Sequence, residues 1–149
     1  MQLTVSLKLD VPATAAISEL ELLIQEAGQQ AMRLALGEAV RAYEAQHQTC
    51  PHCGSRLVHG EGTDRRVLRT LFGRVVLAPR RLRCQSCGRG FRPAQECLAP
   101  LKGQQVTPAL ARAAIQAGAA WPYATAAREL AQLSGASISP EQVCHLTIQ

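Results

Sequence analysis

A chain of 149 residues, 47% hydrophobic but only 3% aromatic, holds material for one ordinary domain or for two to three small modules, not for one large aromatic core. It has no run of eighteen apolar residues, and its opening MQLTVSLKLD has neither a basic start nor an unbroken apolar stretch. No membrane-spanning helix or signal peptide is expected, and the reducing cytoplasm, where stable disulfides are rare, is the expected compartment. The net charge of +5 is segregated. Residues 50–103 carry ten arginines and one lysine against Glu61, Asp64 and Glu96, a net of +8, whereas residues 1–49 carry −3 and residues 104–149 carry zero. Guanidinium groups concentrated in this way favour a polyanionic partner, nucleic acid, over a surface that only aids solubility.

In chain order, Leu3, Val5, Leu7 and Leu9 alternate with Gln2, Thr4, Ser6 and Lys8, the period of a half-buried strand, and Pro12 ends it. From residue 13 to 47 the period turns helical, with Ile17, Leu20, Ile24, Ala27, Ala31 and Leu34 at three-and-four spacing. Ser18 and Glu21 have capping-box spacing, which places the start of the helix proper at Ser18. Gly28 and Gly37 each cost about 1 kcal/mol relative to alanine and mark a break or a close helix contact. Packing or self-association is the role this segment, residues 1–48, suggests.

Residues 49–93 read as β. Two apolar, β-branched runs cover 66–71 and 74–83, with Phe72 and Gly73 at the turn. Pro79 cannot donate to a ladder, so its strand is an edge or is interrupted there. Pro93, Pro100, Lys102 and Gly103 make a linker of residues 94–106. Thr107 caps and Pro108 opens a helix to Ala120, which Trp121-Pro122 stops. A second helix runs from Tyr123 to Leu133 and ends at Ser134-Gly135. Ser139, Pro140, Glu141 and Gln142 form a capping box that starts a third. The expected class is α+β: an N-terminal strand and long helix, a small β ribbon, and a helix-turn-helix-like segment at 107–149.

The chemistry concentrates in four cysteines, Cys50-x2-Cys53 and Cys84-x2-Cys87, thirty residues apart and each pair followed by a glycine, Gly54 or Gly88. A tight turn with that glycine lets backbone amides point at the sulfurs. Four thiolates held tetrahedrally make an ordinary structural zinc site. The gap exceeds the usual spacing but fits the hairpin between the pairs, which gives a zinc ribbon. A thioredoxin-type couple needs a βαβ setting that neither pair has, while an iron–sulfur cluster accepts the same four ligands and stays open. His52 and His59 read as exposed loop histidines. Cys97 and Cys144, without partners at metal spacing, read as small buried hydrophobes.

A ribbon of this kind displays Arg65, Arg66, Arg69, Arg74, Arg80, Arg81, Arg83, Arg89 and Arg92 to phosphates, contacts that position without reading sequence. If the last two helices form a helix-turn-helix, Gln142, His145 and Gln149 make the polar face of its recognition helix, and Val143 and Leu146 pack inward. A plain three-helix bundle gives the same pattern.

The succession CPHCGSRL, RRVLRTLFGRVVLAPRRLRCQSCGRGFRP and VTPALARAAIQAGAAWPYATAARELAQLSGASISPEQV resembles the N-terminal half of bacterial insertion-sequence transposases of the Kra group, which carry a zinc-ribbon head before a DDE nuclease domain. The likeness covers nearly the whole chain and is most specific in TLFGRVVLAPRRLRCQSCGRGFRP and in SGASISPEQV. It implies recognition of double-stranded DNA at transposon ends and a metal role for Cys50, Cys53, Cys84 and Cys87. The domain whose three carboxylates hold catalytic magnesium in that family lies outside these residues. The expectation is therefore a module that cuts nothing by itself: a truncated gene, one half of a split gene, or a fragment of a longer frame. A second copy at the N-terminal helix and a separate catalytic subunit are further candidate partners, and a zinc-ribbon adaptor for protein or RNA is the alternative reading.

Overall fold

The computed structural model describes residues 2–148, so Gln149, the last of the expected reading residues, lies outside the described part. The architecture is mixed α+β. A long helix, α1 (Ile17–Gln46), is followed by β1 (Val58–Thr63), β2 (Arg66–Thr70), β3 (Gly73–Leu77), β4 (Arg80–Cys84) and β5 (Gly90–Phe91). A short helix, α2 (Gln95–Leu98), runs into a 3-10 turn (Ala99–Leu101), and α3 (Pro108–Ala120), α4 (Tyr123–Ser134) and α5 (Pro140–Ile148) complete the chain. No described helix is long and apolar enough to cross a membrane.

The alternating opening forms no strand. Residues 2–14 are exposed throughout, and they join no sheet. Alternation specifies a face, but a strand is stabilised by cross-strand neighbours, and the described chain offers this segment none. The helix that follows is capped at Ala16 rather than at Ser18. Glu19 supplies the cap, its Oε2 accepting from the Ala16 amide at 2.9 Å. Gly28 and Gly37 mark neither a break nor a contact: α1 is continuous through both, and a methyl group at either would meet nothing within 4 Å.

Proline interrupts the second β run as its missing N–H requires. β3 ends at Leu77 and β4 begins at Arg80, on either side of Pro79. β2 and β3 form the expected hairpin, with Leu68 opposite Val75 and Arg69 opposite Arg74. Its turn is closed by buried Thr70, whose hydroxyl donates to the Gly73 carbonyl at 2.8 Å and accepts from the Phe72 amide at 3.0 Å. This hairpin does not join the cysteine pairs. β1 and β4 do, in an antiparallel sheet of order β1-β4-β5, so the predicted hairpin is an insert carried between those two strands.

Two separate hydrophobic clusters hold the molecule. One joins Val40 of α1, Leu68, Val75 and Leu77 of the β2–β3 hairpin, and Ala94 and Leu101 from the expected linker, which is therefore packed rather than free. The hairpin edge also binds the approach to α3: the Arg69 amide donates to the Gln105 carbonyl at 2.7 Å, and the Thr107 amide to the Arg69 carbonyl at 3.0 Å. The second cluster, Ala114, Ala117, Ala126, Ala127 and Val143, packs α3, α4 and α5 on each other. Thr107 caps α3 as expected, with its side chain accepting from the Leu110 amide. Small alanines let the three axes approach closely, which is how a cluster without a buried aromatic fills its interior.

Candidate metal centre and its arginine surroundings

The two cysteine turns have the same backbone. In the first, the Cys50 amide donates to the Ser55 carbonyl and the Gly54 amide to the Cys50 carbonyl, both at 2.9 Å. In the second, the Cys84 amide donates to the Arg89 carbonyl at 2.9 Å and the Gly88 amide to the Cys84 carbonyl at 3.0 Å. Each turn closes through a glycine at positive φ, +73° for Gly54 and +71° for Gly88, a conformation that strains any residue with a Cβ. The turns are tied to each other by the Gln85 amide on the Leu57 carbonyl and by the Ser86 hydroxyl on Ser55, both at 2.8 Å.

This pairing brings the four sulfurs within 4.8 Å of one another, with Cys50 to Cys87 at 3.7 Å and Cys53 to Cys84 at 3.5 Å. A tetrahedron with metal–sulfur bonds of about 2.3 Å has edges of roughly 3.8 Å, close to these two distances, so the four sulfurs could hold a thiolate-bound cation. The sulfurs are too far apart for disulfide bonds, which span about 2 Å. The first cysteine of each pair is buried and the second exposed, so the cage sits at the surface with one side open to solvent.

Two of the four thiols shift in opposite directions. The Cys84 thiol is pulled down to about 6, first by the Cys87 amide and also by the Cys53 sulfur and the Ser86 amide. Cys53 goes the other way, up to about 12: the Ser55 amide favours its thiolate, but the crowded sulfurs of Cys84, Cys87 and Cys50 and some loss of hydration outweigh it. A thiolate at Cys84 disfavours a second one at Cys53, and a cation bound between them would neutralise both.

Around the cage, the nine expected phosphate-contacting arginines divide. Arg83 binds Glu61 and also donates to the Gly88 carbonyl at 2.8 Å, bracing the second cysteine turn. Arg81 and Arg92 share Asp64, at 3.4 and 2.7 Å. The Arg92 hydrogen bond, followed by the charges of Arg81, Arg92 and Arg66, holds the Asp64 carboxyl below its usual range. Arg89 lies 3.4 Å from His52. Arg69 reaches across to Gln142 of α5. Arg65, Arg66, Arg74 and Arg80 have exposed side chains and no ion pair among the described residues. Arg56, which sequence reasoning passed over, is exposed in the same way just after the first cysteine turn.

The two expected reading residues are placed differently. His145 is exposed on α5. Gln142 is half-buried and engaged: its Oε1 accepts from the Ser139 amide at 3.1 Å and from Arg69, while its own amide donates to the Ser139 hydroxyl at 3.3 Å. Gln142 therefore closes the capping box and ties α5 to β2. Val143 is fully buried and Leu146 packs beside it, as expected of inward residues. Cys97 is exposed, not a buried hydrophobe, because α2 turns it away from the core, and Cys144 is half-buried. His52 and His59 are exposed, the latter on β1 rather than a loop.

Two structural features left no readable signal. Glu44 is buried near the end of α1, where its Oε1 accepts from the Arg80 amide at 2.7 Å and fixes the start of β4. β1 itself, VHGEGT, has too few apolar residues to show an alternation. A scan against known protein families and a search of curated proteins both find no match to this chain.

Proposed function

We propose that the chain is a DNA-binding module, non-catalytic by itself, in which a zinc-held ribbon positions the duplex and α5 reads it. This is the role that the resemblance to the N-terminal part of insertion-sequence transposases suggests. Cutting and joining of DNA then belong to a separate nuclease domain or subunit, and the working compartment is the cytoplasm. Zinc is the proposed ion because four thiolates in a tetrahedral cage are its ordinary structural ligand set. When bound it supplies charge neutralisation and cross-linking, leaving no open position for substrate. Cys50, Cys53, Cys84 and Cys87 would hold it.

The single observation that carries this reading is the arrangement of guanidinium groups on a rigid frame. Arg83, Arg81 and Arg92 spend their charge on Glu61 and Asp64 and brace the sheet. Arg65, Arg66, Arg74 and Arg80 keep theirs for solvent or a polyanion. Arg69 and Gln142 fix α5 against the hairpin, so ribbon and reader approach DNA as one unit.

Substitution separates the roles. Arg74→Ala and Arg80→Ala should each weaken binding to any duplex and flatten the salt dependence by roughly one unit for each phosphate no longer neutralised. Arg81→Ala should do less, since Asp64 already holds that side chain. His145→Ala should spare non-specific affinity and cost about 1–3 kcal/mol on a selected cognate sequence. Equal weakening on cognate and random DNA for all variants would remove the reading role. An unchanged affinity after the arginine changes would favour the adaptor that binds protein or RNA.

A further inference from the structure

In a chain with five aromatic side chains and four histidines, two of each line one cleft. It has a volume of about 520 Å³ and lies between the end of α1, the first cysteine turn, β5 and α2. Tyr43 and His47 enter it as a stacked pair, with ring centroids 3.9 Å apart and planes 14° from parallel. His47 Nδ1 lies 2.8 Å from the Tyr43 carbonyl; a carbonyl only accepts, so Nδ1 donates, and that bond holds the ring against the tyrosine. His52 comes from the cysteine turn, and Phe91 from β5, where pairing with Leu82 of β4 fixes its backbone. Two of the four rings are thus carried by the ribbon, and they are in place only while it is folded.

Charge selects among the guests that aromatic rings attract. Arg92 lines the cleft; Asp64 holds its Nε at 2.7 Å, and its terminal nitrogens make no ion pair among the described residues. Arg89 lies 3.4 Å from the His52 ring. Among the described residues the cleft has one acidic side chain, Glu96. The two arginines disfavour the cationic ligands that aromatic cages otherwise take. His47, His52 and Glu96 do not converge as metal ligands, the four cysteines being the one such cluster among the described residues. Flat π faces, hydrogen-bonding edges and an adjoining negative charge are combined in a nucleotide. The volume also suits one, since small-ligand pockets run from about 300 to 1,000 Å³.

We propose, resting on the DNA-binding role above, that this cleft takes one unpaired DNA base, stacked on its rings, with the adjoining phosphate on Arg92. A base inside a duplex has both faces covered by its neighbours. Only a base at a single-stranded end, or one swung out of the helix, can enter. The exposed arginines then hold duplex, and the cleft adds affinity where a strand is open. Glu96 can accept from the exocyclic amine of such a base, which cytosine and adenine carry.

Anisotropy titration of the full metal-loaded chain tests this with three labelled probes. These are a blunt duplex, the same duplex with a single-stranded abasic tail, and one whose abasic tail carries a single 2-aminopurine. The abasic tail adds phosphates without a base. The 2-aminopurine tail should bind roughly 5- to 150-fold more tightly than the abasic one, the range that one stacked base carries, and its fluorescence should be quenched. Phe91→Leu should abolish that ratio and the quenching with metal content unchanged, and Tyr43→Leu is the second variant should the first release the metal. Trp121→Leu, which removes an aromatic side chain 46% exposed but outside the cleft, should preserve both. Binding of the blunt duplex with equal affinity for both tails, or a ratio that survives both cleft variants, overturns the base site and spares the duplex reading. Preference for the 2-aminopurine tail without binding of the blunt duplex keeps the base site and overturns the duplex reading. Binding of none of the three probes overturns both.

Discussion

Stripping the metal should melt the β1-β4-β5 sheet and leave the helical unit of α3, α4 and α5 folded. The sheet and its cysteine turns have little else to hold them: buried there are Cys50 at 1%, Leu82 at 2% and Cys84 at 1% exposed. One buried leucine contributes about 1.5–3 kcal/mol, whereas a structural zinc in a small finger contributes on the order of 10 kcal/mol. On that comparison a bound metal would decide whether the ribbon folds. The helical unit has its own cluster around Ala114, Ala126 and Val143 and should not follow. Amide exchange reads this directly: protection of residues 58–63 and 80–84 should collapse in excess chelator, while that of residues 123–134 persists. Cys84→Ser should reproduce the effect without chelator.

Acid should act in the same direction. Four thiolates are needed, and protons compete for them, so metal is retained at neutral and higher pH and released as pH falls. Retained protection in β1 and β4 after complete metal removal would show that the ribbon folds without it.

Gly118→Ala should loosen α5 while sparing the metal centre. Gly118 lies where α3 faces α5, and a methyl group there would come within 2.9 Å of Val143 Cγ1 and 2.5 Å of Thr147 Oγ1. The Thr147 hydroxyl can rotate away at the cost of its bond to the Val143 carbonyl, but Val143 is fully buried and cannot. Overpacking of this kind costs about 1–3 kcal/mol, several degrees in melting temperature for a chain of this size. Gly37→Ala is the control, because it fills open space in the middle of α1 and should stabilise by up to about 1 kcal/mol. Thermal melts with metal analysis check both changes. A neutral Gly118→Ala, or one that releases the metal, would show that α5 is not held as described.

What the sequence made legible was local. The Cys-x2-Cys-Gly turns, the Thr107-Pro108 start of α3 and the Ser139 capping box of α5 are each written in a few consecutive residues, and the structure contains all of them. What it hid depends on distant partners. Leu3 to Leu9 alternate like a strand, yet alternation cannot state whether a neighbouring strand exists. The run from Ile17 to Leu34 has the pattern of a core face because a helical period reports a face and not what covers it. β1 is recruited by register with β4 rather than by its own composition, which is why VHGEGT gave no strand signal. The arginines were indistinguishable until the fold paired Arg83 with Glu61, 22 residues away, and Arg69 with Gln142, 73 residues away.

The proposed grip of a metal-held ribbon on DNA through its unpaired arginines is tested most directly by titrating the metal-loaded protein into labelled duplex at two salt concentrations. The expected result is saturable binding whose affinity falls steeply with added salt, with about one released counterion for each phosphate engaged, and which disappears with the metal. An affinity for duplex that is absent, or that does not change with salt or with removal of the metal, would contradict it.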